Sequence, residues 1–388
     1  MTTPADMPQQ RGRTNGRPHN PHLAHTGTAD SAPRFRTAVV GCGAAAFGLH
    51  LPVLTTHPGF DVVAVADRDP ARARHAADAF GIDRTARDGA TLLGDADVLV
   101  VLTGVHDTLI AQAIAAGRHV VTEKPVSLDL ERTRELRDRA HAAGVMLEVG
   151  AMRAHDPALH ALLAAVPAPT GGWLVKADGV DEAARRRVLP HGFAPYTFAG
   201  DPPQPTPADL GPQQLAALQV LLWQGYHLLT ALVLAAPAAR AHTCVLDDRG
   251  TLHATVTSGD GHAFTLVVAP APPGCFHEQI HLADPRHAAT LNFAPPYRAP
   301  AATTVTVHTA PAGTESGFRD PFAALWTAVH QRLAGQHPAD LPTGIDLAVR
   351  VEELAADLAR HGRRTRRRRK PPGPSAAALA AACLCRGR

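Results

Sequence analysis

One short stretch narrows the folds open to this chain of 388 residues more than any other: a strand-like apolar run that breaks into glycines and re-forms as a helix. The run is Phe35-Arg36-Thr37-Ala38-Val39-Val40, the break is Gly41-Cys42-Gly43-Ala44-Ala45-Ala46, and a helix continues toward His50 and Leu54. In such a G-x-G-x-x-A turn Gly41 allows the tight bend, Gly43 lets the backbone approach a pyrophosphate, and Ala46 lets helix and strand pack closely. Phosphate charge then sits at the helix N-terminus, beside Ala45 and Ala46. The next apolar run, Val62-Val63-Ala64-Val65-Ala66, ends in Asp67, where a carboxylate receives adenosine ribose hydroxyls. That carboxylate favours NAD, and Arg68 beside it could accommodate NADP.

Strand-like and helix-like segments keep alternating afterwards. Pro70 to Phe80 reads as a helix, Val98 to Leu102 as a strand, Thr108 to Ala116 as a helix and Val120 to Thr122 as a strand. Continuous apolar strands between amphipathic helices predict a parallel sheet covered on both faces, with right-handed crossovers. The expected fold class is α/β, with a Rossmann dinucleotide-binding domain over residues 35–150. At the end of its fourth strand-like run stands Thr122-Glu123-Lys124-Pro125. Open α/β sheets bind ligands at their carboxyl edge, so Lys124 could aim its ammonium at a reacting oxygen beside a cofactor. Taken alone, the same residues also read as a surface Lys-Pro turn.

Composition narrows the class further. With 45% hydrophobic residues the chain can bury a sizeable core, and its length suggests two domains or three. Cysteines at 42, 244, 275, 383 and 385 show no paired metal-ligand spacing apart from Cys383-Leu384-Cys385, so no metal site is expected. Their odd number argues against a disulfide framework and for a reducing cytoplasm. Residues 1–34 have no apolar core for a signal peptide and read as a disordered extension, and no later run is long enough to span a bilayer. Nine basic residues lie beyond Gly362; without them the formal charge of +3 becomes −6 for residues 1–362. Residues 363–388 therefore read as a basic, disordered tail, and neither a membrane nor a nucleic acid is the expected partner.

Together these residues resemble the glucose-fructose oxidoreductase / inositol dehydrogenase / rhizopine-catabolism (Gfo/Idh/MocA) family of NAD(P)-dependent dehydrogenases. The resemblance is carried by the Gly41 to Ala46 turn, Asp67, Thr103 with His106, Ala116-Gly117-Arg118-His119-Val120 and Thr122 to Pro125. It continues through a helix from Asp129 to Ala143, a strand from Val145 to Gly150, and Met152-Arg153 with Asp156-Pro157 as the crossover into a second domain. The resemblance implies that Lys124 hydrogen-bonds the reacting hydroxyl or carbonyl near the nicotinamide, the hydride chemistry belonging to the cofactor. It also places Thr103, His106 and Glu123 with Lys124 around that cofactor. A cis bond before Pro125 would fix the direction of Lys124.

Residues 151–362 read as an α+β substrate and oligomerisation domain. Leu252 to Thr257, Phe264 to Val268, Ala289 to Phe293 and Thr304 to His308 are short strands with turn signals at Asp247-Asp248-Arg249-Gly250 and Asp260-Gly261, which predicts an open, mainly antiparallel sheet. The resemblance implies that its free face joins copies of the chain into a homo-oligomer. Helices over Pro321 to Leu333 and Ile345 to Arg360 close the domain, the last stopping at Gly362.

A helix around Leu215 to Leu234 is apolar on nearly all sides, leaving a polar strip of Gln224, His227 and Thr230 beside Trp223. Dehydrogenases of the resembled family carry an Asp four residues before a His here. His227 matches the His, but Trp223 stands where the Asp belongs. His227 is then a proton relay with Gln224 as its partner, or Tyr196 or Tyr226 serves as the acid, or the protein keeps the cofactor and has lost the reaction. Tyr196 and His191 lie in a Pro- and Arg-rich segment between Gly179 and Pro212, bordering the substrate by resemblance. The expectation is an NAD(P)-dependent oxidoreductase acting on a secondary alcohol or ketone of a sugar, cyclitol or sugar-derived metabolite. Its small-molecule substrate would meet Lys124, His227 and Tyr196. The alternative is an NAD(P)-binding sensor or scaffold without turnover.

Overall fold

In a computed structural model, the structure describes residues 33–179, 182–189, 193, 204–296, 302–336 and 344–363. Tyr196 and His191, the N-terminal extension up to residue 32 and the basic tail from residue 364 lie outside the described residues.

The first sheet follows from the alternation in the sequence. Strands β1 (Phe35–Val40), β2 (Phe60–Ala66), β3 (Arg84–Ala86), β4 (Val98–Val101), β5 (His119–Thr122) and β6 (Leu147–Val149) lie in the order β3-β2-β1-β4-β5-β6. Every neighbouring pair is parallel, which is the Rossmann arrangement. Its helices are α1 (Leu51–Leu54), α2 (Pro70–Phe80), α3 (Asp107–Ala115) and α4 (Leu130–Ala143). Asp69 caps α2 by accepting from the Ala71 N–H, with Pro70 in the first turn, and Asp129 caps α4 through the Glu131 N–H.

The chain then enters the second half through α5 (Pro157–Ala165), capped by Asp156. There follow β7 (Gly171–Asp178), α6 (Glu182–Val188), α7 (Pro212–Trp223) and α8 (Tyr226–Ala235). Strands β8 (Arg240–Leu246), β9 (Leu252–Thr257), β10 (Ala263–Pro270), β11 (Phe276–Ala283), β12 (Ala288–Asn292), β13 (Thr304–Val307) and β14 (Gly313–Ser316) come next. After α9 (Pro321–Leu333) and α10 (Gly344–Arg360), a last short strand β15 (Gly362–Arg363) completes a nine-stranded sheet ordered β14-β13-β12-β11-β7-β10-β9-β8-β15. Only β7–β10 and β8–β15 pair in parallel, so the sheet is mainly antiparallel, as expected. One face packs on α5, α7, α8 and α10 around Leu174, Phe264, Leu266, Leu228 and Leu354. On the other face Trp173 is 46% exposed and stacks on His281 with ring centroids 3.8 Å apart.

Three local expectations change. The apolar stretch expected as one helix is two, α7 and α8, bent by 76° at Gln224-Gly225. Gln224 and Gly225 both donate to Val220 O at 3.0 Å, and a Cβ at Gly225 would lie 3.0 Å from the Leu221 carbonyl oxygen, tighter than ordinary contact. The bend dissolves the polar strip: Gln224 is exposed, and the Thr230 hydroxyl donates to Tyr226 O inside the core. Gly362 does not stop the last helix as a cap. It opens β15 instead, paired beside Cys244. Among the described residues no single helix is long and apolar enough to cross a membrane, and the bent α7–α8 pair is buried in the core.

The last two helices turn back to the first sheet. Phe322, Leu325, Trp326 and Val329 of α9 join the core with Val39, Val65 and Val100, while Ile345, Ala348 and Val349 of α10 join Leu99, Leu136 and Leu147. Leu325 is fully buried, so Leu325→Ala should lower stability by about 2–5 kcal/mol, read from the urea midpoint at unchanged slope.

Candidate active site

The glycine turn is built around two opposite constraints. Gly41 has φ +99°, and a Cβ there would lie 2.9 Å from the Leu102 carbonyl, so the turn can press on the end of β4 only as glycine. A Cβ on Gly43 would meet nothing within 4 Å, which leaves open space above the turn where a pyrophosphate fits. The helix then begins, with Phe47 N–H donating to Gly43 O, and it contains a π-type turn over Ala46–His50 before α1. Asp67 is held in place by two backbone donors, Cys42 N at 2.8 Å and Asp69 N at 2.9 Å. Burial, with the Asp67 charge next, pushes the Cys42 thiol up to about 12, so it stays protonated. Arg68 is exposed beside Asp67. These residues suit a dinucleotide: an open cradle at Gly43, a helix start at Ala45 and Ala46, and an aimed acceptor at Asp67.

The π-type turn brings His50 inward beneath Glu123. His50 Nε2 lies 3.0 Å from Glu123 Oε1, with the ring packed edge-on against Phe322 and Trp326. Burial raises the Glu123 pKa, but the His50 hydrogen bond and charge, then the Lys124 charge and backbone N–H, outweigh it and hold the carboxyl below its ordinary value. Glu123 therefore braces the lysine turn against the helix that follows the glycines.

Three further contacts fix that turn. His106 bridges two loops, its Nδ1 lying 2.8 Å from Thr103 O and its Nε2 2.9 Å from Pro125 O. The Lys124–Pro125 peptide bond is cis, as expected. Val126 N–H donates to Glu352 Oε1 of α10 at 3.0 Å, and Thr133 Oγ1 lies 2.5 Å from Glu352 Oε2. Burial pushes the Glu352 carboxyl up to about 8.

Lys124 itself reaches across to the second half. Its Nζ donates to Trp223 O at 3.2 Å, at the C-terminal end of α7 where the helix dipole is negative. The position that the resemblance assigns to an acid thus supplies a backbone oxygen. The Trp223 indole packs at the edge of the core. Burial, against the attraction of Glu123, lowers the Lys124 pKa to about 8.

His227 lies on the first turn of α8. Burial first, then the charges of Lys124, Lys176 and Arg153, push its pKa well below the ordinary value, so it is a neutral imidazole. Its Nδ1 has no partner among the described residues. Tyr226 points into the core, fully buried, away from a proton-donor role, and burial raises its pKa strongly.

Further charged residues lie on β7, β11 and the crossover: Lys176 and Glu278, which the sequence did not single out, and Arg153 and Asp156, which it read only as the crossover. Lys176 on β7 lies directly opposite Glu278 on β11, Nζ to Oε2 3.5 Å, with Asp178 at 3.9 Å. Arg153 donates to Asp156 at 2.7 Å, lies 3.9 Å from Glu278, and places its guanidinium 3.7 Å over the Phe293 ring. Lys176, Arg153, Asp156 and Glu278 are all buried, and Arg153 Nε and Glu278 Oε1 have no partner among the described residues. No group of metal-ligating residues occurs among the described residues.

A Rossmann sheet with a glycine cradle, an aimed ribose carboxylate and a lysine at the carboxyl edge defines a dinucleotide-binding domain. Residues 35–151 match the profile of the Gfo/Idh/MocA oxidoreductase family, NAD-binding Rossmann fold. Scyllo-inositol 2-dehydrogenase (NAD(+)) of Bacillus subtilis (strain 168) is 32% identical over 129 residues, 32% of this chain and 38% of that protein. The dTDP-3,4-didehydro-2,6-dideoxy-alpha-D-glucose 3-reductase of Streptomyces antibioticus is 36% identical over 119 residues, 30% of this chain and 36% of that protein. Both matches span well under half of the relative's length. The fold extends further: KijD10, a 3-ketoreductase from Actinomadura kijaniata solved with NADP and TDP-benzene, aligns with a TM-score of 0.65 at 21% identity, over 85% of this chain and 98% of that one.

Two outcomes follow from the geometry. Glu352 has its folded pKa raised from 4.5 to about 8, so the stability it contributes is complete below the unfolded value and lost as pH rises through the folded one. Urea unfolding should show stability falling between those two values, and Glu352→Gln should flatten that fall. Gly41→Ala should lower the unfolding midpoint by about 1–3 kcal/mol equivalent, because it forces both a disfavoured φ and a clash with the Leu102 carbonyl.

Proposed function

We propose that the protein is an NAD(P)-dependent oxidoreductase that transfers a hydride between nicotinamide and a secondary alcohol or ketone of a sugar, cyclitol or sugar-derived metabolite. The observation that carries this reading is the Lys124 ammonium, braced by Glu123, His106 and Glu352 at the carboxyl edge of the first sheet and turned toward the second domain. The names of the relatives support the substrate class: an inositol dehydrogenase, and a reductase of a dTDP-linked sugar. Gly41, Gly43, Ala45, Ala46, Asp67 and Arg68 would hold the dinucleotide, with Thr103 and His106 lining its nicotinamide side; Asp67 favours NAD over NADP. When bound, the dinucleotide supplies the hydride chemistry. Lys124 orients and polarises the reacting oxygen, and the neutral His227 passes the proton onward. The exposed face around Trp173 and His281 would join copies of the chain.

A panel of cyclitols, aldoses and nucleotide-linked sugars, followed by nicotinamide absorbance with NAD and NADP, tests the reading. Turnover of at least one polyol or keto-sugar should fall by about 10²-fold or more in Lys124→Met. Dinucleotide binding without turnover on the whole panel would favour a sensor or scaffold instead. Turnover that Lys124→Met leaves intact would remove Lys124 from the chemistry.

A further inference from the structure

The open face of the second sheet holds no fixed charge. Seven neighbouring strands, from β14 across to β9, keep one continuous register, so their side chains alternate between the helix side and the open side in step. The charged residues of these strands are Lys176, Asp178, Glu278 and Glu315, and all four take the parity of the helix side. The open side holds small, apolar and neutral polar residues, with Trp173 the exposed large one. In a chain that is 19% charged, a surface of this width without Lys, Arg, Asp or Glu marks a place where another surface can rest without stranding a charge. Residues 1–362 carry a formal charge of −6, so two copies repel over most of their surfaces and least across this one. Its flat area is about 700 Å² at the usual strand spacing and rise, close to the roughly 800 Å² that each partner buries in a stable complex. A second copy of the chain is the occupant that fits it.

Histidine is the residue type that can put a charge there. His281 lies under the Trp173 ring, and its Nδ1 is 2.9 Å from Thr290 Oγ1; the same oxygen is 2.7 Å from His308 Nε2. One hydroxyl therefore serves two imidazoles. With both rings neutral, or one protonated, it accepts an N–H from one ring and donates its single proton to the bare nitrogen of the other. With both rings protonated, both can only donate, the hydroxyl proton loses its acceptor, and two like charges stand with ring centroids 5.7 Å apart. Around His281, Trp173 of β7 and Thr290 of β12 carry no charge, His277 stands four residues back on β11, and His253 is on β9. The β11–β12 turn at the rim holds Arg286 and the paired Asp284 and His287, and Lys176, Asp178 and Glu278 point to the helix side. Burial, then the His308 charge, lowers the His281 pKa, and burial, against the attraction of Glu278, lowers that of His277; both take up protons below the ordinary 6.5.

We propose, resting on the association of copies proposed above, that the His281–Thr290–His308 cluster makes that association sensitive to acid: two copies meet across the uncharged face while the shared hydroxyl is satisfied, and separate when both histidines are charged. A two-fold contact doubles the effect, because each copy brings its own cluster to a surface that the other closes to water. The cluster lies on the far face of the sheet from Lys176 and Glu278, so it controls assembly without belonging to the candidate active site.

Sedimentation velocity of the full chain at constant ionic strength, at about pH 8 and about pH 5.5, tests this, with circular dichroism on the same samples to show that the chain stays folded. The wild type should associate at the higher pH and weaken by about tenfold or more at the lower. His281→Gln and His308→Gln each leave Thr290 a neutral polar neighbour that cannot charge, so each should weaken by less than about threefold over the same interval. Trp173→Arg, which fixes a charge on the face, should be monomeric at both. Wild-type monomers at the higher pH overturn the association and its control together. Association equal at both pH values overturns the control alone, as does an undiminished acid effect in both glutamine variants. Association that survives in Trp173→Arg puts the contact on another surface and overturns the proposal.

Discussion

The ammonium of Lys124, 3.2 Å from the carbonyl oxygen of Trp223, ties together the parts of this molecule that matter for chemistry. On one side of that contact lies the carboxyl edge of a parallel sheet. On the other lies the end of a helix that stops because Gln224 and Gly225 both fold back onto Val220 O. The bend and the lysine depend on each other: a continuous helix would consume the Trp223 carbonyl internally, and a lysine turn without its braces would not reach it. The braces come from distant points of the chain, His50 through Glu123, His106 through Pro125 and Glu352 through Val126. Each is enclosed enough that its hydrogen bond is made in low dielectric, where a rigid geometry is favoured.

The same enclosure explains the electrostatics. Lys176, Arg153, Glu278 and Asp156 form one polar patch inside an otherwise apolar layer between the second sheet and its helices. Burying charges is unfavourable unless they are paired, and here the pairing is incomplete: Arg153 Nε and Glu278 Oε1 lack partners among the described residues.

Five of the six strands of the first sheet were legible in the sequence because they are continuous apolar runs, while β3, Arg84-Thr85-Ala86, carries no such run and was not read. The glycine turn, Asp67 and Lys124 could all be read from Phe35 to Pro125 alone. The second half was less legible, and for one physical reason. The central strands β7 and β11 were missed because their inward positions include Lys176 and Glu278, which break the apolar alternation that marks a half-buried strand. The residues that hide the strands are those that line the candidate site, an instance of local pattern failing where function resides. The bend between α7 and α8 was missed because leucines run on both sides of Gln224-Gly225, so apolar content alone suggested one helix. Glu352 and His50 carried no local signal, since their partners lie hundreds or tens of residues away.

The central question is whether the open space above Gly43 takes a nicotinamide dinucleotide. Titration with NADH and NADPH, followed by nicotinamide fluorescence, should show saturable binding to one site per chain. A Cβ at Gly43 meets nothing within 4 Å among the described residues, so Gly43→Val should fold with an unchanged unfolding midpoint and yet lose that binding. Absence of saturable binding by either dinucleotide in the wild type, or binding undiminished in a folded Gly43→Val, would contradict it.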